Sequence, residues 1–170
     1  MRRIGLISDT HGFVDPAVYE YFAECDEIWH AGDFGPASVS EELSDFRPLR
    51  GVYGNIDDAV IRSLHPKDNR FQIEGVDVWM THIGGYPGRY DRSVAKRIRE
   101  NPPDLFICGH SHILRVMRDK TLANMLHFNP GAAGRLGFHV MRTLLRFQVS
   151  DGSVQKLQAV ELGLRSQPRS

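Results

Sequence analysis

Residues 4–53 read IGLISDTHGFVDPAVYEYFAECDEIWHAGDFGPASVSEELSDFRPLRGVY. Short apolar runs, Ile4 to Ile7, Ile28 to Ala31 and Leu49 to Tyr53, alternate with amphipathic stretches, Asp15 to Phe22 and Pro36 to Leu43. The runs have the length of buried strands and the stretches between them carry helical periodicity, so the segment predicts successive βαβ units on a buried sheet. Asp15-Pro16 sets a capping acceptor before a proline at the first helical position, which places the start of the first helix.

The rest of the chain extends this pattern and then departs from it. Glu74-Gly75 separates Phe71-Gln72-Ile73 from Val76 to Met80 as a hairpin turn would, and the second strand runs into Thr81-His82. Asp91 caps a helix that stops at Asn101-Pro102-Pro103, and a strand covers Leu105 to Cys108. Beyond it, Leu114 to Met117, Met125 to Phe128, Met141 to Val149 and Val154 to Val160 read as strands, the last two joined by an Asp151-Gly152 turn. Parallel βαβ segments followed by an antiparallel portion predict an α/β fold: two mixed sheets packed face to face as a sandwich, flanked by helices.

A length of 170 residues suits a single domain with a real core, expected over residues 1–163, with 164–170 as a flexible tail. Apolar residues make up 41% and charged residues 25%, and 21 basic side chains balance 21 acidic ones. That is the profile of a globular protein, and it gives no sign of a nucleic-acid or membrane partner. Cys25 and Cys108 form no CxxC pair, and the apolar run after Met1-Arg2-Arg3 is too short for a signal-peptide core. The expected location is the cytoplasm.

The chemistry sits where the runs end. Asp9-x-His11, Gly32-Asp33, Gly54-Asn55, Thr81-His82 and Gly109-His110-Ser111-His112 each follow a predicted strand. In open α/β sheets the loops past the carboxyl ends of strands converge on one crevice, so distant segments can build one site. An isolated Asp-x-His or Gly-Asp is most often an ordinary turn. Compatible ligand chemistry at all these strand ends is what turns the reading toward a metal site. Carboxylate and amide oxygens mixed with imidazoles suit manganese, iron, zinc, nickel or cobalt. Seven donors are too many for one ion, and two ions sharing a carboxylate describe a hydrolytic site for phosphate esters.

In this order and rough spacing, Asp-x-His, Gly-Asp, Gly-Asn-x-Asp, His and Gly-His-x-His resemble the calcineurin-like metallophosphoesterases. The short length, Gly54-Asn55-Ile56-Asp57 and Asn129-Pro130-Gly131 are similar to the small prokaryotic phosphodiesterase branch. The resemblance implies a four-layer sandwich in which Asp9, His11, Asp33 and His112 hold one metal and Asp33, Asn55, His82 and His110 the other. Asp33 would bridge them, a metal-bridging hydroxide would attack phosphorus in line, and manganese is the implied ion. The expected catalytic residues are Asp33, Asn55, His82 and Asp57, the first three also being metal ligands.

Ile56 stands where many superfamily phosphatases carry a histidine beside the asparagine, which favours diesters as substrates. Asp57 has two readings: an acceptor that orients a ligand histidine, or the cap of the next helix. Arg89 and Arg92 are candidates for contact with substrate phosphate, whereas His30, His65, His127 and His139 have no spacing that assigns them chemistry. The expected partner is a small phosphodiester, with no membrane and no nucleic acid. Alternatives are a non-catalytic interaction scaffold, as in the retromer subunit that resembles this fold, and a nucleotide phosphatase or nuclease.

Overall fold

The computed structural model describes residues 1–166. Its elements run β1 (Arg2–Ile7), α1 (Pro16–Tyr21), β2 (Glu27–His30), α2 (Ala37–Phe46), β3 (Leu49–Gly51), α3 (Ala59–Leu64), β4 (Asp68–Ile73) and β5 (Val76–Thr81). There follow β6 (Gly85–Tyr86), β7 (Arg89–Tyr90), α4 (Arg92–Glu100), β8 (Leu105–Ile107), β9 (Leu114–Asp119), β10 (Met125–Pro130), β11 (Met141–Ser150) and β12 (Ser153–Leu164). One five-stranded sheet has the order β12-β11-β1-β2-β3 and the other β4-β5-β8-β10-β9, with β6-β7 as a separate two-stranded ribbon.

Alternation along each strand explains the layering. Ile4 and Leu6 point inward with Trp29 and Ala31, meeting Val78, Met80, Leu105, Ile107 and Phe128 of the other sheet. Ile7 and Ile28 point outward and are covered by Val18 and Phe22 near α1, Leu43 of α2 and Ile61 of α3. On the opposite side Trp79 and Phe106 take Val94 and Ile98 of α4. Helices, sheet, sheet and helix therefore form the expected four-layer sandwich.

Local chemistry explains the boundaries. Asp15 accepts from the Ala17 amide and Asp91 from the Ser93 amide, each capping its helix. Both predicted hairpins close through paired positive φ angles, 48° and 80° at Glu74-Gly75 and 52° and 71° at Asp151-Gly152. That is the type I′ geometry matching the strands' twist. Leu164 pairs with Met141, and Arg165 Nε donates to the His139 carbonyl at 2.7 Å. The rest of the expected tail, 167–170, lies outside the described residues. Among the described residues no helix is long and apolar enough to cross a membrane.

Strands β1, β2 and β3 are parallel to one another, as are β5, β8 and β10. The loops that follow β1, β2, β3, β5 and β8 carry the predicted site residues.

Candidate metal centre

Backbone hydrogen bonds zip these loops together. Asp9 N donates to Gly32 O at 2.9 Å, His11 N to Asp33 O at 3.1 Å, and Gly109 N to His82 O at 2.9 Å. Asp9, His11, Asp33, His110 and His112 all sit at positive φ, between 44° and 68°. Left-handed backbone is costly for non-glycine residues, and its concentration at the predicted ligands marks a constrained, functional loop set.

Each buried carboxylate has one oxygen anchored by the protein. Asp9 Oδ2 accepts from Ser8 Oγ at 2.6 Å and from His110 N at 3.1 Å, while Asp33 Oδ1 accepts from Ile56 N at 3.1 Å. The other oxygens face imidazoles. Asp9 Oδ1 lies 3.1 Å from His112 Nε2 and 3.8 Å from His11 Nε2. Asp33 Oδ2 lies 3.2 Å from His82 Nε2 and 3.5 Å from His11 Nε2. Asn55 Oδ1 completes the ring, 3.1 Å from His82 Nε2 and 3.0 Å from His110 Nδ1. His82 Nδ1 donates to Ala31 O at 2.7 Å, which turns the lone pair on Nε2 toward the carboxylates.

The donors form two groups, Asp9/His11/His112 and Asp33/His82/His110, each with its ligand atoms within 4.8 Å of one another. Metal bonds of about 2.0–2.2 Å place neighbouring ligand atoms roughly 2.8–3.6 Å apart, the range most of these contacts occupy. Asp9 Oδ1 and His11 Nε2 are buried without a hydrogen-bond partner, which is costly unless a cation takes their lone pairs. The residues fit a metal.

Proton equilibria follow the same geometry. Burial alone would raise the Asp9 carboxyl, but the neighbouring imidazoles of His11, His112 and His82 outweigh it and hold Asp9 well below the usual range. His11 is raised by the carboxylate of Asp9 beside it, which outweighs its burial. Burial opposes protonation of His82, and the Asp33 contact overcomes it, raising this group as well. His110 is lowered by burial and by nearby His82.

The structure brings all seven predicted donors together and gives Asp57 a different contact set from either expected one. Asp57 Oδ1 accepts from Gly35 N at 3.0 Å and Oδ2 from Gly54 N at 2.8 Å, so it splices the loops bearing Asp33 and Asn55. It neither touches a ligand histidine nor caps the helix; the cap of α3 is Asp58, which accepts from Val60 N and Ile61 N.

Two histidines without assigned chemistry support the centre. His30 Nε2 meets Thr10 Oγ1 at 3.0 Å, and His30 Nδ1 accepts from Gly32 N at 3.1 Å. It thereby buttresses both metal-facing loops from behind. His139 Nδ1 lies 3.2 Å from His112 Nδ1. The position of His30 just before Ala31-Gly32-Asp33 was a readable signal, whereas His139 lies on a long loop that only the tertiary fold brings near. Arg89 and Arg92 line a cavity beside His110, together with Arg115.

Carboxylate, amide and imidazole donors gathered at the strand ends of a double-sheet sandwich define a metal-binding α/β protein of the phosphoesterase class. The chain belongs to the calcineurin-like phosphoesterase superfamily, whose domain matches residues 1–152. It is 31% identical over 128 residues to a "Probable metallophosphoesterase" of Methanothermobacter thermautotrophicus, covering 71% of this chain and 74% of the relative. Among solved structures it is similar to a novel archaeal phosphodiesterase, with a TM-score of 0.72, 20% identity, and coverage of 94% and 99%. It is also similar to Chaetomium thermophilum Vps29, with a TM-score of 0.75, 12% identity, and coverage of 95% and 97%. The family is metal-dependent.

Proposed function

We propose that the protein is a binuclear metal-dependent phosphodiesterase. The observation that carries this reading is the convergence of seven donors around two unpartnered buried atoms, Asp9 Oδ1 and His11 Nε2. One ion would be held by Asp9, His11, Asp33 and His112, the other by Asp33, Asn55, His82 and His110. Asp33 Oδ2 lies near imidazoles of both sets, at 3.5 Å from His11 and 3.2 Å from His82, and is the shared ligand. Manganese is the ion the resemblance implies, and zinc, iron, nickel and cobalt accept the same donors. When bound, such ions supply an activated water at neutral pH and positive charge against the phosphoryl oxygens.

The chain's own groups set the rest. Ser8 and His110 N hold the Asp9 carboxylate still, Ile56 N does the same for Asp33, and Ala31 O fixes the His82 ring. Geometry of this kind is built before substrate arrives, which is what lowers a barrier dominated by positioning. Ile56 is 48% exposed and follows Asn55 directly. It offers no proton to a leaving alcohol, which favours diesters with good leaving groups over monoesters.

A second reading, an interaction scaffold, is favoured by a fully exposed Phe138 and by exposed Leu136 and Val140 on the loop that carries His139. Hydrolysis of bis(p-nitrophenyl) phosphate separates the two. The phosphodiesterase reading expects manganese-dependent turnover that chelator abolishes and added metal restores. Full activity after verified metal removal, or none in the metal-loaded protein, would overturn it.

A further inference from the structure

A cavity of about 480 Å³ opens beside His110 and runs between the β6-β7 ribbon and the start of β9. That volume is in the range of small-molecule sites. Its lining includes Arg89, Arg92 and Arg115, with Tyr86 and Tyr90 as walls and His127 beneath.

The charge of this cavity is unusual in being uncommitted. Among the described residues none of the three arginines forms an ion pair. Two acids lie near them without pairing to them: Asp91, in the lining itself, accepts from Ser93 N and Oγ through Oδ1, and Asp119 accepts from Tyr90 OH and from Thr121. The three guanidinium groups therefore outnumber the one lining carboxylate. Arg115 Cζ lies over the Tyr86 ring, 3.9 Å from its centroid. That contact holds the guanidinium at the cavity wall, and its N–H groups can donate to a planar or tetrahedral oxyanion. Both ring nitrogens of buried His127 lack a hydrogen-bond partner.

A second cavity, of about 350 Å³, lies on the other side of His82. Arg62 there is bonded to Asp57 O and stacked on Tyr53, and Arg97 is paired with Asp68. Lys67 also lines this second cavity, so the two sides differ in the kind of cation they present: three guanidinium groups without ion pairs around the first, and two arginines held by other contacts plus one lysine around the second.

We propose that this cavity binds a second anionic group, a phosphate or carboxylate, carried on one ester arm of the substrate. The proposal rests on the phosphodiesterase reading, because His110 belongs both to the Asp33 donor group and to the cavity lining. A phosphorus held at those donors has an ester arm opening directly into the cavity. The arginines thus select the arm, while the metal donors act on the phosphorus.

The test compares two matched diesters in the manganese-loaded protein, 4-carboxyphenyl p-nitrophenyl phosphate and its 4-carboxamidophenyl counterpart, with products followed by chromatography. The carboxylate substrate should be preferred at least about 10-fold in kcat/KM, equivalent to about 1.4 kcal/mol. Arg115→Gln and Arg89→Gln should bring the ratio to about 2 or less, and Arg62→Gln should keep it. No preference in the parent protein, a preference retained in both variants, or equal loss in Arg62→Gln would overturn the proposal. Titration of metal-free protein with inorganic phosphate supplies a reading independent of turnover. Amide NMR shifts should move at residues 84–92 and 115 and stay still in Arg115→Gln. Such shifts in a protein that cleaves no diester would keep the anion site while removing the phosphodiesterase, and their absence would remove the site itself.

Discussion

His112 and His139 meet Nδ1 to Nδ1 at 3.2 Å, although they are 27 positions apart. His139 Nε2 contacts the Gly134 carbonyl at 2.8 Å, an acceptor only, so that nitrogen carries the proton. His139 Nδ1 then accepts from His112 Nδ1–H, and the lone pair of His112 Nε2 is aimed at the site, 3.1 Å from Asp9 Oδ1. The pair forms a short relay that fixes the tautomer of an imidazole in the candidate metal centre.

His139→Ala should therefore weaken metal binding about 10- to 100-fold, the usual cost of losing such a partner. His139→Asn, which keeps an acceptor within reach, should recover part of it. Metal titration with thermal melts as a folding control decides the matter, and unchanged affinity in His139→Ala would show that the contact does not orient His112.

Asp33 should be the least replaceable donor. Its Oδ1 is taken by Ile56 N and only Oδ2 faces His11 and His82, so one atom serves both groups. Asp33→Asn keeps the size but removes the negative charge that the two proposed cations would share. We expect fewer metal ions per chain and a rate loss of at least about 100-fold, roughly 2.7 kcal/mol. Asn55→Ala should cost less, since it removes a neutral donor. Elemental analysis and kinetics on both variants test the order, and two retained ions with near-normal turnover in Asp33→Asn would mean that the bridge is elsewhere.

Gly54 has no room for a side chain. A Cβ there would stand 2.0 Å from Asp33 Oδ1 and 2.4 Å from Asp33 N, and a backbone atom cannot swing aside. Gly54→Ala should destabilise the protein by about 1–3 kcal/mol and displace the Asp33 carboxylate. Denaturant unfolding measures the first effect and metal stoichiometry the second. A variant with parental stability would contradict the close approach.

Ile56 offers a gain of function. Its amide already touches Asp33 and its side chain is 48% exposed beside Asn55. Ile56→His places a proton donor where a leaving oxygen departs, which general-acid catalysis can exploit. The ratio of p-nitrophenyl phosphate to bis(p-nitrophenyl) phosphate turnover should rise several-fold. If it stays flat in a folded, metal-loaded variant, the missing histidine is not what limits monoester hydrolysis.

Acid sensitivity should trace to His127. Burial, helped by Arg115, pushes its pKa down to about 4, whereas the unfolded chain takes up that proton near 6.5. The unfolded state gains protons first, so the stability this group preserves above pH 6.5 drains away as pH falls toward 4. At pH 5 the loss is about 2 kcal/mol. His11 and His82 are shifted the opposite way, but equally in parent and variant. Metal-free His127→Phe should lose about that much less stability between pH 7 and pH 5 in denaturant titrations, and an equal loss would point to His30, which burial holds near 3.

Much of this protein is local and was therefore legible in its sequence. Strand length, alternating burial, the caps at Asp15 and Asp91 and the paired turn residues Glu74-Gly75 and Asp151-Gly152 are set by neighbours within a few positions. The seven donors were readable for the same reason, because each lies directly after its strand and parallel topology sends such ends to one edge. Only the tertiary structure decided what depends on loops meeting far along the chain. Asp57 splices two backbones instead of acting on a histidine, His139 arrives from 27 positions away to steady His112, and Arg115 joins Arg89 and Arg92 around one cavity. Hydrogen bonding and charge depend on distances of a few ångströms, and sequence order fixes those distances only where the chain is locally regular.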